Sequence, residues 1–145
     1  MEGKTIQILR PGDRASFSKT ISEYDVYAFA GITGDFNPLH VNEAYAVRSR
    51  FKGRIVHGAL LCGLISAVIG MYLPGEGALY EAQSLRFLRP VRIGDTITAE
   101  VEVIELIPER NRIRLATRCW NQRGERVAEG ESVVLPKQVR SEERP

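Results

Sequence analysis

The chain has 145 residues, of which 43% are hydrophobic and 26% are charged, and its formal net charge is +2. This length suits one domain whose core needs no metal or disulfide for support. We expect a single domain over residues 1–136 and a charged, disordered tail over residues 137–145. The 20 basic and 18 acidic residues are spread along the chain. They form no basic stripe, which argues against a nucleic-acid partner.

The cysteine usage and the apolar runs indicate a cytoplasmic protein. Cys62 and Cys119 have no metal-ligand spacing, so we expect reduced, packed thiols, with neither a disulfide nor a metal site. The N-terminus is too polar for a signal peptide. The longest apolar stretch, residues 59–73, is shorter than the roughly 20 residues that a bilayer core demands. We therefore expect no membrane partner.

The first predicted elements are a strand and a capped helix. Alternating residues predict a strand over Arg14–Thr20. Ser22 is then a candidate N-cap, with Asp25 at the capping-box position. The helix that follows should end at Gly34, because glycine readily adopts the left-handed conformation that terminates helices.

A loop and two further helices come next. We expect a loop over residues 35–40, and then a short helix capped by Asn42 that runs from Glu43 to about Arg50. Residues 58–73 are apolar on every side, which predicts a helix enclosed by protein. Pro74 and the glycine after it should end that helix.

The remainder of the chain predicts strands. Residues 96–104 and 112–117 alternate polar and apolar side chains, and turn residues separate the runs. Alternating strands joined by short turns form an antiparallel sheet with one dry face. The simplest assembly is α+β: a long buried central helix wrapped by a curved antiparallel sheet, which is the hot-dog fold.

Two polar residues flank an Asn-Pro turn after the first helix. Asp35 and His40 are five residues apart, and Pro38 disfavours a continuous helix between them. A turn can bring both side chains to one side, where a carboxylate and an imidazole can exchange a proton near neutral pH. The structural alternative is that Asp35 caps the turn and His40 donates a hydrogen bond to a backbone carbonyl.

The apolar helix begins directly after a second histidine. His57 can be an end residue with a satisfied hydrogen bond, and we count it among the supporting residues of a site. Gly58 allows a ligand to approach the backbone closely, and the first amides of a helix lack intrahelical partners. Free amides at the positive end of a helix favour an oxyanion or an enolate.

Other polar residues near these segments are weaker candidates. Ser66 is a hydroxyl within the apolar helix, where serine commonly bonds to a carbonyl one turn earlier. Basic residues on either side of that helix could meet a phosphate-bearing ligand, although a solvated surface is the alternative for each of them. These residues are Lys52, Arg54, Arg86, Arg89 and Arg92.

Three segments resemble one known family. Residues 33–42 (Thr-Gly-Asp-Phe-Asn-Pro-Leu-His-Val-Asn), 51–58 (Phe-Lys-Gly-Arg-Ile-Val-His-Gly) and 83–96 (Gln-Ser-Leu-Arg-Phe-Leu-Arg-Pro-Val-Arg-Ile-Gly-Asp-Thr) are similar to the MaoC-like (R)-specific enoyl-CoA hydratases and 3-hydroxyacyl dehydratases. The resemblance covers about residues 14–135. Its specific part is the Asp-x-Asn-Pro-x-His element.

The resemblance implies a role for each matching residue. Asp35 and His40 would hold and activate the water, and Gly58 would give its N–H to the thioester carbonyl. Ser66 would assist the site, and Asn37 would orient the loop. The family further implies a lyase of fatty acid metabolism that needs no cofactor or metal. It also implies a homodimer whose two sheets join edge to edge, with acyl-CoA bound near the interface.

Three other functions stay open on the sequence. A hot-dog thioesterase would share the fold and the thioester, but it would not need the histidine five residues after Asp35. A non-catalytic subunit of a two-chain dehydratase would have no need of the Asp35 and His40 pair. A 3-hydroxyacyl-acyl-carrier-protein dehydratase would use the same residues on a different carrier.

Overall fold

The computed structural model, which describes residues 2–138, confirms the predicted sheet. The sheet is antiparallel and has five strands in the order β1-β3-β4-β5-β2. The strands are β1 Arg14–Thr20, β2 Leu79–Phe87, β3 Thr96–Ile107, β4 Arg112–Trp120 and β5 Arg126–Leu135. The helices are α1 Glu23–Thr33, α2 Pro38–Val41, α3 Glu43–Ala46 and α4 Gly58–Met71. A 3₁₀ turn over Pro108–Arg110 joins β3 to β4.

The alternation of β3 and β4 separates the two faces of the sheet. Every second residue is buried along most of β3 and all of β4, so one face packs into the core. The opposite face bears ion pairs: Arg118 donates to Glu100 at 3.2 Å and to Glu102 at 2.8 Å. Such pairs pay little desolvation cost because they stay near solvent.

Helix α4 fills the space over the dry face of the sheet and contacts β1, β2 and β3. The sequence predicted a helix enclosed by protein on all sides, but only one face of α4 is buried. Its larger apolar residues are buried: Leu60, Leu61, Leu64, Ile65, Val68 and Ile69. A second face is exposed in the single chain: Ala59, Gly63, Ser66 and Met71. Alanine and glycine count as apolar in a sequence pattern, but they have little surface to bury.

Helix α1 has the predicted ends. Ser22 accepts a bond from the Asp25 amide, and the Asp25 carboxylate accepts one from the Ser22 amide, which completes a capping box. Gly34 ends the helix with a φ of 83°, a conformation that costs glycine no steric clash. The α1 terminus therefore places the following residues at a defined point.

The residues after α1 differ from the predicted loop and helix. Asn37 caps a one-turn helix, α2, with Pro38 in its first turn, where the missing proline amide is not needed. Helix α3 ends at Ala46 rather than near Arg50. The Ser49 hydroxyl donates to the Ala46 carbonyl at 2.6 Å, and this side-chain bond competes with continued helix.

The N-terminal segment packs against the core, and an ion pair joins the two ends of the described chain. Leu9 is fully buried, and the Lys4 amide donates to the Pro74 carbonyl at 2.8 Å. Lys137, the first residue of the predicted tail, donates to Glu2 at 2.8 Å. The rest of that tail, residues 139–145, lies outside the described residues. Within residues 2–138, no helix is long and apolar enough to span a bilayer.

Both cysteines are free thiols that pack near the helix–sheet interface. Cys119 is fully buried on β4, and Cys62 on α4 is partly buried. Burial raises the pKa of the Cys119 thiol to about 12 and also raises the pKa of Cys62. Since the thiolate is the nucleophilic form, the predicted packing role agrees with their surroundings.

Candidate active site

The structure brings three polar side chains from separate elements to one place. Asp35 follows α1, His40 belongs to α2 and His57 precedes α4. One ligating atom from each lies within 4.8 Å of the other two. The His57 ring contacts both the His40 ring, with centroids 4.0 Å apart, and the Phe29 ring, at 4.7 Å. The sequence predicted the pair Asp35 and His40 with His57 as a supporting residue, and the fold brings all three together.

One hydrogen bond sets the proton position on His40. Its Nδ1 lies 2.7 Å from the Ile55 carbonyl oxygen. A carbonyl can only accept, so Nδ1 must bear the hydrogen. In the neutral ring Nε2 is then the unprotonated nitrogen, and its lone pair is free to accept a proton. The structural alternative for His40, a bond to a backbone carbonyl, is therefore present, and it leaves Nε2 available for the predicted proton transfer.

His57 is held by the same kind of bond and supports the loop. Its Nε2 donates to the Asp35 backbone carbonyl at 2.9 Å. The side chain is only 1% exposed, and its Nδ1 has no hydrogen-bond partner within residues 2–138. A buried ring bonded to a backbone carbonyl fixes the position of that backbone, so His57 positions Asp35.

Short bonds within the loop orient the carboxylate. The Asn37 amide donates to Asp35 Oδ1 at 3.1 Å, and the Asp35 amide donates to the Thr33 hydroxyl at 3.2 Å. The Asn37 side-chain oxygen accepts from the Leu39 amide at 3.1 Å and so caps α2. The Asp35 side chain stays exposed. These bonds agree with the loop-orienting role predicted for Asn37.

The start of α4 presents free backbone donors beside this cluster. His57 occupies the N-cap position but makes no side-chain bond to the helix amides. The first amides of a helix have no intrahelical acceptor, and their partial positive charge attracts an oxyanion. A Cβ at Gly58 would lie 3.0 Å from the Phe87 ring. Glycine therefore keeps open the narrow space between the amide and that ring.

A cleft of about 290 Å³ lies beside this cluster, and neither Asp35 nor His57 lines it. His40 and Gly58 lie at its wall, and two arginines, Arg50 and Arg89, also line it. The other lining residues are apolar: Phe51, Ile55, Val56, Leu61, Phe87, Leu88, Pro90 and Val91. An apolar cleft with a few polar groups is typical of a small-ligand site.

Two of the five predicted phosphate-binding residues have another role in this structure. Arg54 donates to Glu43 at 3.1 Å, to Glu23 at 2.8 Å and to the Tyr27 hydroxyl at 3.0 Å. This network joins α1 and α3 to the segment before α4. Arg92 donates to the backbone carbonyls of residues 51 and 53. Both guanidinium groups anchor the loop that precedes the site.

The other predicted residues divide into one inside the cleft and three outside it. Arg89 lines the cleft, whereas Lys52 and Arg86 do not. Ser66 is exposed two helical turns beyond Gly58, about 12 Å along the axis, so its assisting role stays a prediction. Sequence reasoning missed Arg50, which lies in a turn after α3 with no motif around it.

The Asp35, His40 and His57 side chains are also residue types that bind metal ions. A nitrogen lone pair lies in the plane of its ring, so two histidines that share an ion must direct their ring edges at it. The His40 and His57 rings are tilted by 31° to one another, with centroids 4.0 Å apart. The expectation of no metal stays a prediction.

Comparison with known proteins identifies the class of this domain. The family model described as "MaoC like domain" matches residues 9–123. The chain belongs to this family.

Similar proteins of known activity cover most of the chain. It is 53% identical over 127 residues to an (R)-specific enoyl-CoA hydratase of Rhodospirillum rubrum, a match that covers 88% of each protein. It is 54% identical over 120 residues to a 3-hydroxybutyryl-CoA dehydratase of Methylorubrum extorquens, covering 82% of this chain and 76% of the relative.

Solved structures confirm the hot-dog fold. The R-hydratase PhaJ1 from Pseudomonas aeruginosa superposes with a TM-score of 0.89 at 42% identity, covering 99% of this chain and 94% of that one. The (R)-hydratase of Aeromonas caviae gives a TM-score of 0.85 at 44% identity, covering 88% of this chain and 97% of that one.

Proposed function

We propose that this protein is an (R)-specific enoyl-CoA hydratase, a hydro-lyase that adds water reversibly to a trans-2-enoyl thioester. The observation that supports it most directly is the bond from His40 Nδ1 to the Ile55 carbonyl, which makes Nε2 the acceptor of the neutral ring in the same cleft as Gly58 at the start of α4. The relatives named above have this activity or its reverse. The product is the (R)-3-hydroxyacyl thioester.

The reaction follows from the roles of three groups. The thioester carbonyl accepts a bond from the Gly58 amide, and the helix dipole stabilises the enolate that develops in the transition state. Asp35 orients a water molecule, and His40 Nε2 takes one of its protons as the oxygen bonds to C3. The resulting imidazolium returns a proton to C2. Acid–base assistance of this kind contributes about 10²–10⁴ in rate.

The proposed reaction needs no redox cofactor or metal. The thioester carbonyl is itself the electron sink for the addition, and the proton taken from water is the proton given to C2. Coenzyme A enters as part of the substrate. A role in fatty acid metabolism and a cytoplasmic location accompany this proposal and rest on the resemblance and on the reduced cysteines.

The alternative functions differ in what they require of the cluster. A thioesterase directs water at the carbonyl carbon and has no use for a second proton carrier beside Asp35. A non-catalytic subunit needs neither Asp35 nor the His40 tautomer that the Ile55 carbonyl sets. A carrier-protein dehydratase uses the same chemistry, and two relatives with that name are 34% and 32% identical.

We also propose that the active form is a homodimer that joins through β2. This strand is one edge of the sheet, and an unpaired edge favours pairing with another strand. Large apolar side chains are exposed on it and near it, including Leu79, Met71 and Tyr72. The other edge, β1, exposes polar residues such as Ser16 and Ser18. Light scattering should give twice the chain mass, and a fully active monomer at micromolar concentration would refute the dimer.

An assay with crotonyl-CoA tests the activity. We expect the enoyl absorbance to fall without release of free CoA, and chiral analysis to identify (R)-3-hydroxybutyryl-CoA. Stoichiometric free CoA would instead indicate a thioesterase. An (S) product, or no reaction with any enoyl thioester, would contradict the proposal.

A further inference from the structure

We infer that Arg50 and Arg89 form a phosphate-binding pair at the rim of the cleft, and that this pair recognises the nucleotide phosphates of the CoA thioester. This inference rests on the proposed function and adds to it the residues that distinguish CoA from shorter thioesters. It also replaces most of the basic residues that the sequence suggested for this task.

The size and lining of the cleft place the phosphates at its rim. About 290 Å³ is at the lower limit for a ligand pocket, so the cleft can hold the acyl group and part of the pantetheine arm. Its lining is apolar apart from His40, Arg50 and Arg89. The charged nucleotide must therefore stay at the solvent side, where only these two arginines supply positive charge among the lining residues.

Arg50 is presented to this rim without a competing acid. Its side chain is exposed and makes no ion pair within residues 2–138. The guanidinium carbon lies 4.8 Å above the centroid of the Phe51 ring, which itself lines the cleft. Such a cation–π contact restricts the arginine to the cleft side while leaving its N–H donors free.

The loop that bears Arg50 is held in place by the other arginines. Arg92 donates to the carbonyls of Phe51 and Gly53, and Arg54 ties the same loop to α1 and α3. A positioned guanidinium loses less entropy when it binds a phosphate than a mobile one does. Arg54 and Arg92 thus hold the loop in place, and Arg50 remains available to bind a phosphate.

Arg89 faces the cleft from the opposite segment, between β2 and β3. Among the described residues Arg89 has one ion pair, to Glu125, which is 3.8 Å long and joins two exposed groups. Glu125 is bound more closely by Arg123, at 2.6 Å. An exposed pair of this length contributes little, so Arg89 can turn to a phosphate at low cost. Arginine binds phosphate oxygens in a bidentate geometry, and two arginines suit a pyrophosphate or the 3′-phosphate.

The test compares thioesters that differ only in their phosphates. Kinetics of Arg50→Gln and Arg89→Gln would be measured with crotonyl-CoA, crotonyl-dephospho-CoA and crotonyl-pantetheine. With crotonyl-CoA we expect KM to rise about fivefold for each variant while kcat stays the same. With crotonyl-pantetheine, which has no phosphate, KM should not change. The salt dependence of KM for crotonyl-CoA should become flatter, because exposed charge pairs are screened.

The matched control is Arg14→Gln, which should leave KM unchanged with all three substrates. Arg14 is an exposed arginine with an ion pair to Glu102, and it lies on β1, the sheet edge opposite β2 and outside the cleft. Crotonyl-dephospho-CoA lacks the 3′-phosphate but keeps the pyrophosphate, so it shows which of the two the arginines contact. The prosthetic group of a carrier protein lacks this pyrophosphate. Equal changes with crotonyl-CoA and crotonyl-pantetheine, or no change with either, would overturn the inference. A wild-type protein that hydrates none of the three thioesters would instead contradict the proposed function.

Discussion

The helix–sheet core and the polar segment of residues 33–58 are held by different forces. In the core, apolar side chains such as Ile65 and Leu115 are fully buried against one another. In the polar segment, side chains bind backbone carbonyls, as His40 binds Ile55 and His57 binds Asp35. Burial of apolar side chains supplies most of the stability of a domain. These hydrogen bonds instead fix the orientation of the side chains and backbone that they join. The core should therefore determine stability, and the segment should determine activity.

The largest effect should come from the acid–base pair. Asp35→Asn and His40→Gln should each lower kcat/KM for crotonyl-CoA by about 10²–10⁴, since each removes a group that handles the water proton. The unfolding temperature should stay close to that of the wild type because neither side chain belongs to the core. The double variant should be little slower than either single one, because residues that act as a unit are not additive. Near-normal hydration by a single variant would end the assignment.

A core substitution should show the opposite behaviour. Leu115→Ala removes a fully buried side chain from β4 and should lower the free energy of unfolding by about 2–5 kcal/mol. Chemical denaturation gives that value, and hydration assays below the transition give the activity of the folded fraction, which should be unchanged. A loss of activity as large as that of the His40 variant would break the division between core and segment.

Gly58 lies where the two regions meet, and its substitution should affect the segment alone. In Gly58→Ala the new Cβ would lie 3.0 Å from the exposed Phe87 ring, which can move, so stability should change little. The methyl group would nevertheless obstruct the amide, and kcat should fall about 10²-fold.

Gly31→Ala is the matched control for this substitution. Gly31 lies within α1, with nothing within 4 Å of its added Cβ. Alanine there should raise the unfolding temperature slightly and leave kcat unchanged. Equal activities of the two glycine variants would remove Gly58 from the proposed mechanism.

The smallest effects should come from Arg54, which anchors the polar segment, and they should appear in both stability and activity. Arg54→Gln removes bonds to Glu23, Glu43 and Tyr27. We expect a loss of about 1–2 kcal/mol in stability and a severalfold decrease in kcat, because the loop before α4 is less firmly placed. KM for crotonyl-pantetheine should change little. An Arg54→Gln variant with normal stability, a raised KM for crotonyl-CoA and an unchanged KM for crotonyl-pantetheine would instead support the phosphate role first predicted for Arg54.

Structural and chemical roles coincide in the site. For His40 the sequence offered either a bond to a backbone carbonyl or a proton-transfer role. The structure has the bond, and in the neutral ring the bond to the Ile55 carbonyl places the hydrogen on Nδ1 and the lone pair on Nε2. The two interpretations were therefore never exclusive, because an imidazole has two nitrogens and the partner of one decides the state of the other.

Local rules of the chain were sufficient for much of the fold. The alternation in β3 and β4, the capping box at Ser22 and the terminator at Gly34 were all predicted correctly, since each depends on residues a few positions apart. The Asp35–His40 element was also recognisable, because its residues share one turn. The length of α3 was not, since the Ser49 side chain decided where that helix ends.

Only the tertiary structure decided which arginines face the cleft. Lys52, Arg54, Arg86, Arg89 and Arg92 are equivalent in a sequence, because charge alone predicts a solvated surface or a phosphate contact. The fold assigns Arg54 and Arg92 to loop anchoring and leaves Arg89 at the cleft, joined there by Arg50 from a turn with no motif. The exposed face of α4 was hidden from sequence for the same reason. A hydropathy pattern records what a residue prefers, and only packing determines which neighbours are present to satisfy it.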